Sequence, residues 1–477
     1  MTQKETSPRE NEQSAGLLLP LSERCFDLYA LSLPRGPNFH PWSFRSAWSS
    51  GKDSSIGAVL QLSPAGPFAT LILRRQVDHR FVLTHRKEMI GSEQEAFADL
   101  AANMQFSAPE PLRPGEKRRP LLLDTAGRTP GDYFKLLTGT RTHYPALMAI
   151  GELYLAMPRP DDNFAGDFQT NNFNSRLWEL YLFAAFREQD ITVTQPLPSP
   201  DFLLERDGHS CWVEAVTANA EEPYAQGFTT PAPPPDDRAE RLIGAPAERF
   251  AKTLRSKLQR EYDKAPHVTG QSFAFAIADF HAPGSMVWSR EALPSYLYGI
   301  HAQVGEGPEG PFAFAESVAK LRGSHSIPAG LFRDPAMAHL SAVIFSNAAT
   351  LGKFNRMGLL AGWRPQGLSM VREGLIFDRT PGALEPKTFR LDVLSEEYAR
   401  LWPGGEAWCQ ELEVFHNPMA THPIDFDLIP GATHWFEENG ELMCSAYWEC
   451  SVLSSMTHLK IETPKDGITQ EKSKQAG

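Results

Sequence analysis

The chain has few cysteines, no long apolar run, and none of the glycine-rich or histidine-rich signatures of the commonest active sites. Its five cysteines, Cys25, Cys211, Cys409, Cys444 and Cys450, are odd in number and not spaced as CxxC. That pattern excludes a zinc ribbon and fits a reducing compartment better than a disulfide scaffold. Without a stretch of about eighteen apolar residues, no spanning helix and no membrane partner are expected. The first sixteen residues are polar, and the GLLLPL behind them lacks a basic flank and a clear cleavage site. No secretory signal is therefore expected, and the default location is cytoplasmic. GxxxxGKS/T, HExxH, GxSxG and a GxGxxG after a strand are all missing. Their absence removes the phosphate-loop, zincin, serine-hydrolase and dinucleotide-binding classes. SSGKDSS near residue 50 lacks the upstream glycine that a phosphate loop requires.

What is present is ordinary for a globular chain: 477 residues, 42% hydrophobic and 22% charged. Such a length suggests two to four domains. The net charge of -12 argues against a basic coat for non-specific nucleic-acid binding, but leaves room for a local basic groove.

Residues 1–20 and 464–477 read as polar tails. Residues 21–157 read as an N-terminal α+β accessory module. IGAVLQL, FATLILRR and RFVLTHRK are strand-like, and Ser92 three residues before Glu95 is a capping box for a helix. His79 and His85 lie in or beside those strands and read as surface residues. The proline-rich stretches 107–120 and 229–237 read as linkers or surface loops. A core is expected over 158–350 and a C-terminal extension packed on it over 351–463. From about residue 340 to 463 the pattern reads as the strand LSAVIFSN followed by loop-rich segments, with His416 and His422 in an ordered loop rather than a metal site.

The stretch PSPDFLLERDGHSCWVEAVTAN, residues 198–219, is where chemistry concentrates. Asp207-Gly208 between two strand-like runs is a strong two-residue hairpin signal. With those residues as the turn, Arg206 faces His209, Leu204 faces Cys211 and Asp201 faces Glu214. Opposed side chains sit roughly 4.5–5.5 Å apart on one face. Two like charges at that spacing repel unless a cation lies between them, and Mg²⁺ takes one or two carboxylates plus water and phosphate oxygens; the alternative is that one or both acids are solvated at the open end of an exposed hairpin. The neighbours Phe202, Leu203, Leu204, Trp212, Val213, Ala215 and Val216 leave almost no polar face, so the acids need partners.

Upstream, NSRLWELYLFAAFRE (174–188) is apolar all round from Leu177 to Phe186 except for Glu179. A helix without a polar face is a core helix, so Glu179 is expected to be partly buried, serving the site or pairing with Arg176 or Arg187. Both arginines read as lying at solvent-facing ends. Downstream, AERFAKTLRSKLQREYDK (247–264) reads as an amphipathic helix in which Phe250, Leu254, Lys257, Leu258 and Glu261 share one arc, so Lys257 either serves the site or snorkels or pairs with Glu261. Residues 241–264 hold seven Lys/Arg against three acids, a local basic face. QSFAFAIADF (271–280) reads as a long apolar strand.

The order helix 174–188, strands 191–195, 201–206 and 211–217, helix 247–264, strand 272–280 is αβββαβ. With Glu179 on the first helix, Pro200-Asp201 opening a strand and Val213-Glu214-Ala215 in the next, it resembles the PD-(D/E)XK, or restriction-endonuclease-like, nuclease superfamily. The resemblance covers residues 174–280. It implies an α/β fold, a mixed sheet flanked by helices, in a cytoplasmic bacterial protein. It implies hydrolysis of phosphodiester bonds, DNA ahead of RNA, in a setting such as defence against foreign DNA, and a homodimer where two strands are cut. It implies that Asp201, Glu214 and the carbonyl of Ala215 bind Mg²⁺ or Mn²⁺. Glu179 then holds a metal-bound water or a second ion. The family's lysine belongs two residues after the second acid, where this chain has Val216. Lys257, on the neighbouring helix, is the candidate displaced lysine. The alternative is a catalytically inactive protein of the same fold that binds nucleic acid or protein.

Overall fold

The segment Phe173–Arg187 forms a helix (α1) with apolar side chains around its circumference, and every residue from Leu177 to Arg187 is buried. Such a helix is stable only inside a core. It is a feature of a computed structural model that describes residues 18–30, 42–50, 53–104, 109–112, 114, 121–122, 127–220, 233–308, 310–323 and 326–462. Most of the expected tails, most of 107–120 and the first part of 229–237 lie outside the described residues.

After α1 come three strands, β1 (Thr192–Thr194), β2 (Phe202–Arg206) and β3 (His209–Asn219), then helix α2 (Ala245–Leu258) and strand β4 (Phe273–Phe280). Further strands follow as β5 (Ala342–Phe345), β6 (Glu413–His416), β7 (Thr433–Glu438) and β8 (Glu441–Ala446). Among the described residues these form one eight-stranded sheet whose spatial order is the chain order. β1, β2 and β3 are antiparallel, whereas β3, β4 and β5 run parallel. The sheet is therefore mixed, with helices on its faces, and the chain is mixed α/β.

The hairpin register follows from the turn. Asp207 and Gly208 both have positive φ, 49° and 84°, the backbone a tight two-residue hairpin demands. Arg206 pairs with His209 and Phe202 with Val213, where the ladder ends one residue short of Asp201. In β4 the alternation of Phe273, Phe275 and Ile277 with Ala274, Ala276 and Ala278 separates two faces. The alanines join the core around α1, where their small side chains let Trp178 and Tyr181 approach the sheet. Trp178 donates its indole N–H to the Ala276 carbonyl at 3.0 Å. The phenylalanines join the core under α2 with Trp212, Val216, Phe250 and Leu254.

The second helix departs from expectation. It ends at Leu258 rather than 264, Glu261 turns left-handed at φ 51°, and a single turn Tyr262–Lys264 follows. Packing explains the break: Tyr262 leaves the helical path to stack on Phe273 and meet Phe275 edge-on. Glu261, placed on the apolar stripe by helical phase, is consequently exposed.

The N-terminal strands form a five-stranded antiparallel sheet, with Ser92 Oγ accepting the Glu95 N–H of the following helix. Ile56, Leu71 and Leu73 of that sheet share one core cluster with α1. His85 is bound to Asp99 at 2.8 Å. The region after residue 340 is richer in strands than its pattern indicates. It supplies β5 through β8 and a separate three-stranded sheet, Leu368–Ile376, Lys387–Asp392 and Val452–Ile461. His416 lies in strand β6 rather than in a loop, and its Nε2 meets His434 Nδ1 at 2.9 Å. Among the described residues no helix is long and apolar enough to cross a membrane.

Candidate active site

Period-two alternation in β3 puts Glu214 on the same face as Trp212 and Val216, the face covered by α2. Glu214 is 5% exposed, so its carboxylate has little water and needs partners from the protein. Lys257 Nζ donates to Glu214 Oε1 at 2.9 Å, and the Tyr262 hydroxyl donates to the same oxygen at 2.6 Å. Oε2 is buried and has no hydrogen-bond partner among the described residues. One oxygen is thus doubly satisfied and the other is unsatisfied among the described residues.

Asp201 stands just before β2, one residue beyond the last ladder pair, Phe202 with Val213. Its Oδ2 accepts the Ala215 N–H at 2.7 Å, so the side chain closes the ladder where the backbone leaves it. Burial raises its pKa well above the carboxylate range, and the charges of Glu179 and Glu214 raise it further. The Ala215 N–H and Lys257 only partly oppose this. Glu179 on α1 is likewise pushed up to about 7 by burial, against the pull of Arg176 and with repulsion from Asp161 and Glu214. The three acids therefore act on one another electrostatically, which is the condition that a cation relieves.

Glu179 realises the ion-pair alternative that its position in the sequence left open. Arg176 Nη1 contacts both carboxylate oxygens, at 3.0 and 3.2 Å, while Nη2 holds Asp161 and Asp167. Arg176 does not lie free at a solvent-facing end, since its side chain is 13% exposed. Arg187 is buried and bonds to the Ile191 carbonyl. Among the described residues no group of three or more His, Cys, Asp or Glu is placed to hold a metal ion by itself. Of the three acids, Glu179 is engaged by Arg176 on both oxygens, Asp201 accepts the Ala215 N–H on Oδ2, and Glu214 accepts Lys257 and Tyr262 on Oε1.

Val216 is buried in the core under α2, 3% exposed, so the position two residues after Glu214 offers no proton or charge. Lys257 supplies the ammonium on that same face from the neighbouring helix. Tyr262 went unforeseen: nothing in EYDK marks its phenol for Glu214, because its placement depends on the helix ending early.

A second polar cluster is larger but self-contained. Lys353, Arg356 and Arg372 share Glu406 and Glu411, with Tyr398 donating to Glu406. The cations hold both carboxyls below their usual range despite burial. Both carboxylates are already engaged by these cations, so the cluster reads as a structural bolt.

No family model, curated protein or solved structure matches the chain.

Proposed function

We propose that the protein is a metal-dependent phosphodiesterase of the PD-(D/E)XK kind acting on nucleic acid, DNA first. The observation that carries this is the Glu214 carboxylate: buried, held on one oxygen by Lys257 and Tyr262, unpartnered on the other among the described residues, and beside Asp201. Hard oxygen donors from one or two carboxylates suit Mg²⁺ or Mn²⁺. Asp201 and Glu214 would hold the ion, with the Ala215 carbonyl as a further donor from the same strand. When bound, such an ion supplies Lewis-acid activation of a phosphate and a lowered pKa for water. Lys257, bonded to Glu214, would place a positive charge where the attacked phosphate gathers negative charge. Tyr262 fixes the rotamer of Glu214.

The αβββαβ element order, the antiparallel β1–β2–β3 unit and the parallel β4 support the superfamily reading. The alternative, a protein of this fold that binds without cutting, draws support from Glu179, whose two oxygens Arg176 engages. The test is incubation of purified protein with plasmid and single-stranded DNA in Mg²⁺ or Mn²⁺, with a chelator control. Metal-dependent cleavage is the expected result. Nucleic-acid binding without cleavage under any condition favours the alternative.

A further inference from the structure

The early end of α2 builds something besides the Tyr262 interaction with Glu214. The turn that follows it lines an open groove of about 490 Å³ with Ser199, Arg260, Glu261, Tyr262, Lys264 and Ala265. Ser199 is two residues before Asp201, and its carbonyl is held by His267 Nε2 at 3.0 Å. One wall of the groove thus leads to each metal-site acid: the Ser199 side to Asp201, and the Tyr262 side to Glu214.

The charges in this groove are unequal. Lys264 is engaged by Glu261, 2.5 Å away. Arg260 is exposed and lines the groove beside Tyr262. A guanidinium is the side chain best matched to phosphate oxygens, since its planar fork donates two parallel hydrogen bonds.

We infer that this groove is a phosphate subsite, in which Arg260 grips a backbone phosphate of the substrate strand flanking the one being cut. The inference rests on the proposed phosphodiesterase reading and adds to it the residue that positions the strand. A chain with net charge -12 cannot rely on a basic coat, so single well-placed cations hold the strand. Arg260 does not touch the reacting atoms and is a positioning residue.

The test uses the full chain with Ca²⁺ in place of Mg²⁺, and a fluorescently labelled DNA strand read by anisotropy across a salt series. For Arg260→Ala we expect roughly tenfold weaker binding at low salt, and a plot of log K against log salt shallower by about 1, as expected when one fewer phosphate is neutralised. Lys460→Ala, an exposed lysine on the separate three-stranded sheet, is expected to change neither. Wild-type affinity and slope in Arg260→Ala overturn the subsite while leaving the phosphodiesterase reading standing. No binding by the wild type overturns both. Inorganic phosphate is the second arm. Thermal stabilisation by phosphate that Arg260→Ala abolishes, with strand binding unchanged, assigns the groove to free phosphate and overturns the strand assignment.

Discussion

Lys257 on α2 and Glu214 on β3 meet at 2.9 Å across 43 residues of chain, on the face of the sheet where Val216 occupies the next inward position. Lysine and acid are thus brought together by packing rather than by neighbouring places on one strand. Lys257→Met is expected to lower cleavage by about 100-fold or more, the scale of a missing charged or proton-handling group. Strand binding in Ca²⁺ should stay within a few-fold of wild type. Adding Val216→Lys to that variant should recover part of the rate, because the side chain at 216 points to the same face. Unchanged cleavage by Lys257→Met would remove the lysine from the site.

Asp201→Asn separates folding from metal binding. The asparagine carbonyl can still accept the Ala215 N–H, so the hydrogen bond, about 1 kcal/mol, is retained. Melting temperature should therefore hold while Mn²⁺ affinity, measured calorimetrically, falls by at least about tenfold once the charged ligand is gone. Equal affinity in the variant would place the ion elsewhere.

Arg176 holds a buried carboxylate, and breaking such a pair from one side is costly. Arg176→Met should destabilise the protein by about 1–3 kcal/mol in urea titration, because the buried Glu179 carboxyl loses its hydrogen-bond donor. Arg176→Met with Glu179→Gln should recover most of that stability. A double variant as unstable as the single one would show that the effect comes from Asp161 and Asp167 instead.

The raised carboxyls set a pH dependence. Glu179, moved up to about 7, and Asp201, moved well up, hold protons in the folded metal-free chain that the unfolded chain has released above about 4.5. Their contribution to stability is complete below that pH and is lost as pH rises through the folded values. Metal-free protein should therefore lose stability from pH 5 to 8 relative to Glu179→Gln. Divalent-ion affinity should rise over the same window, since binding displaces a proton. The reverse slope in either measurement would contradict the assigned causes.

The bolt of Lys353, Arg356, Arg372, Glu406 and Glu411 predicts a site-independent effect. Lys353→Met removes one fully buried partner and should cost about 3–5 kcal/mol in stability. Cleavage per folded molecule should be unchanged.

The hairpin was legible because Asp-Gly demands positive φ at both turn residues, and that fixes which residues face each other. The all-round apolar pattern of α1 likewise permits only a buried helix. Helical phase placed Lys257 on the inward stripe but could not show its target, and it carried the helix six residues too far. What ends the helix is the packing of Tyr262 on Phe273, a long-range interaction without a local signal. The pattern around Arg176 points it to solvent because its acid partners Asp161 and Asp167 come from a preceding segment. β7 and β8 were missed because THWFEE and ELMCSA are half-exposed and mix apolar with acidic residues, so neither shows a clear alternation.

The most direct measurement is cleavage of a labelled DNA strand in Mn²⁺ by wild type, Asp201→Asn and Glu214→Gln purified side by side. The account predicts cleavage by the wild type that a chelator abolishes and that both variants lack. Cleavage surviving in either variant, or none by the wild type, would contradict it.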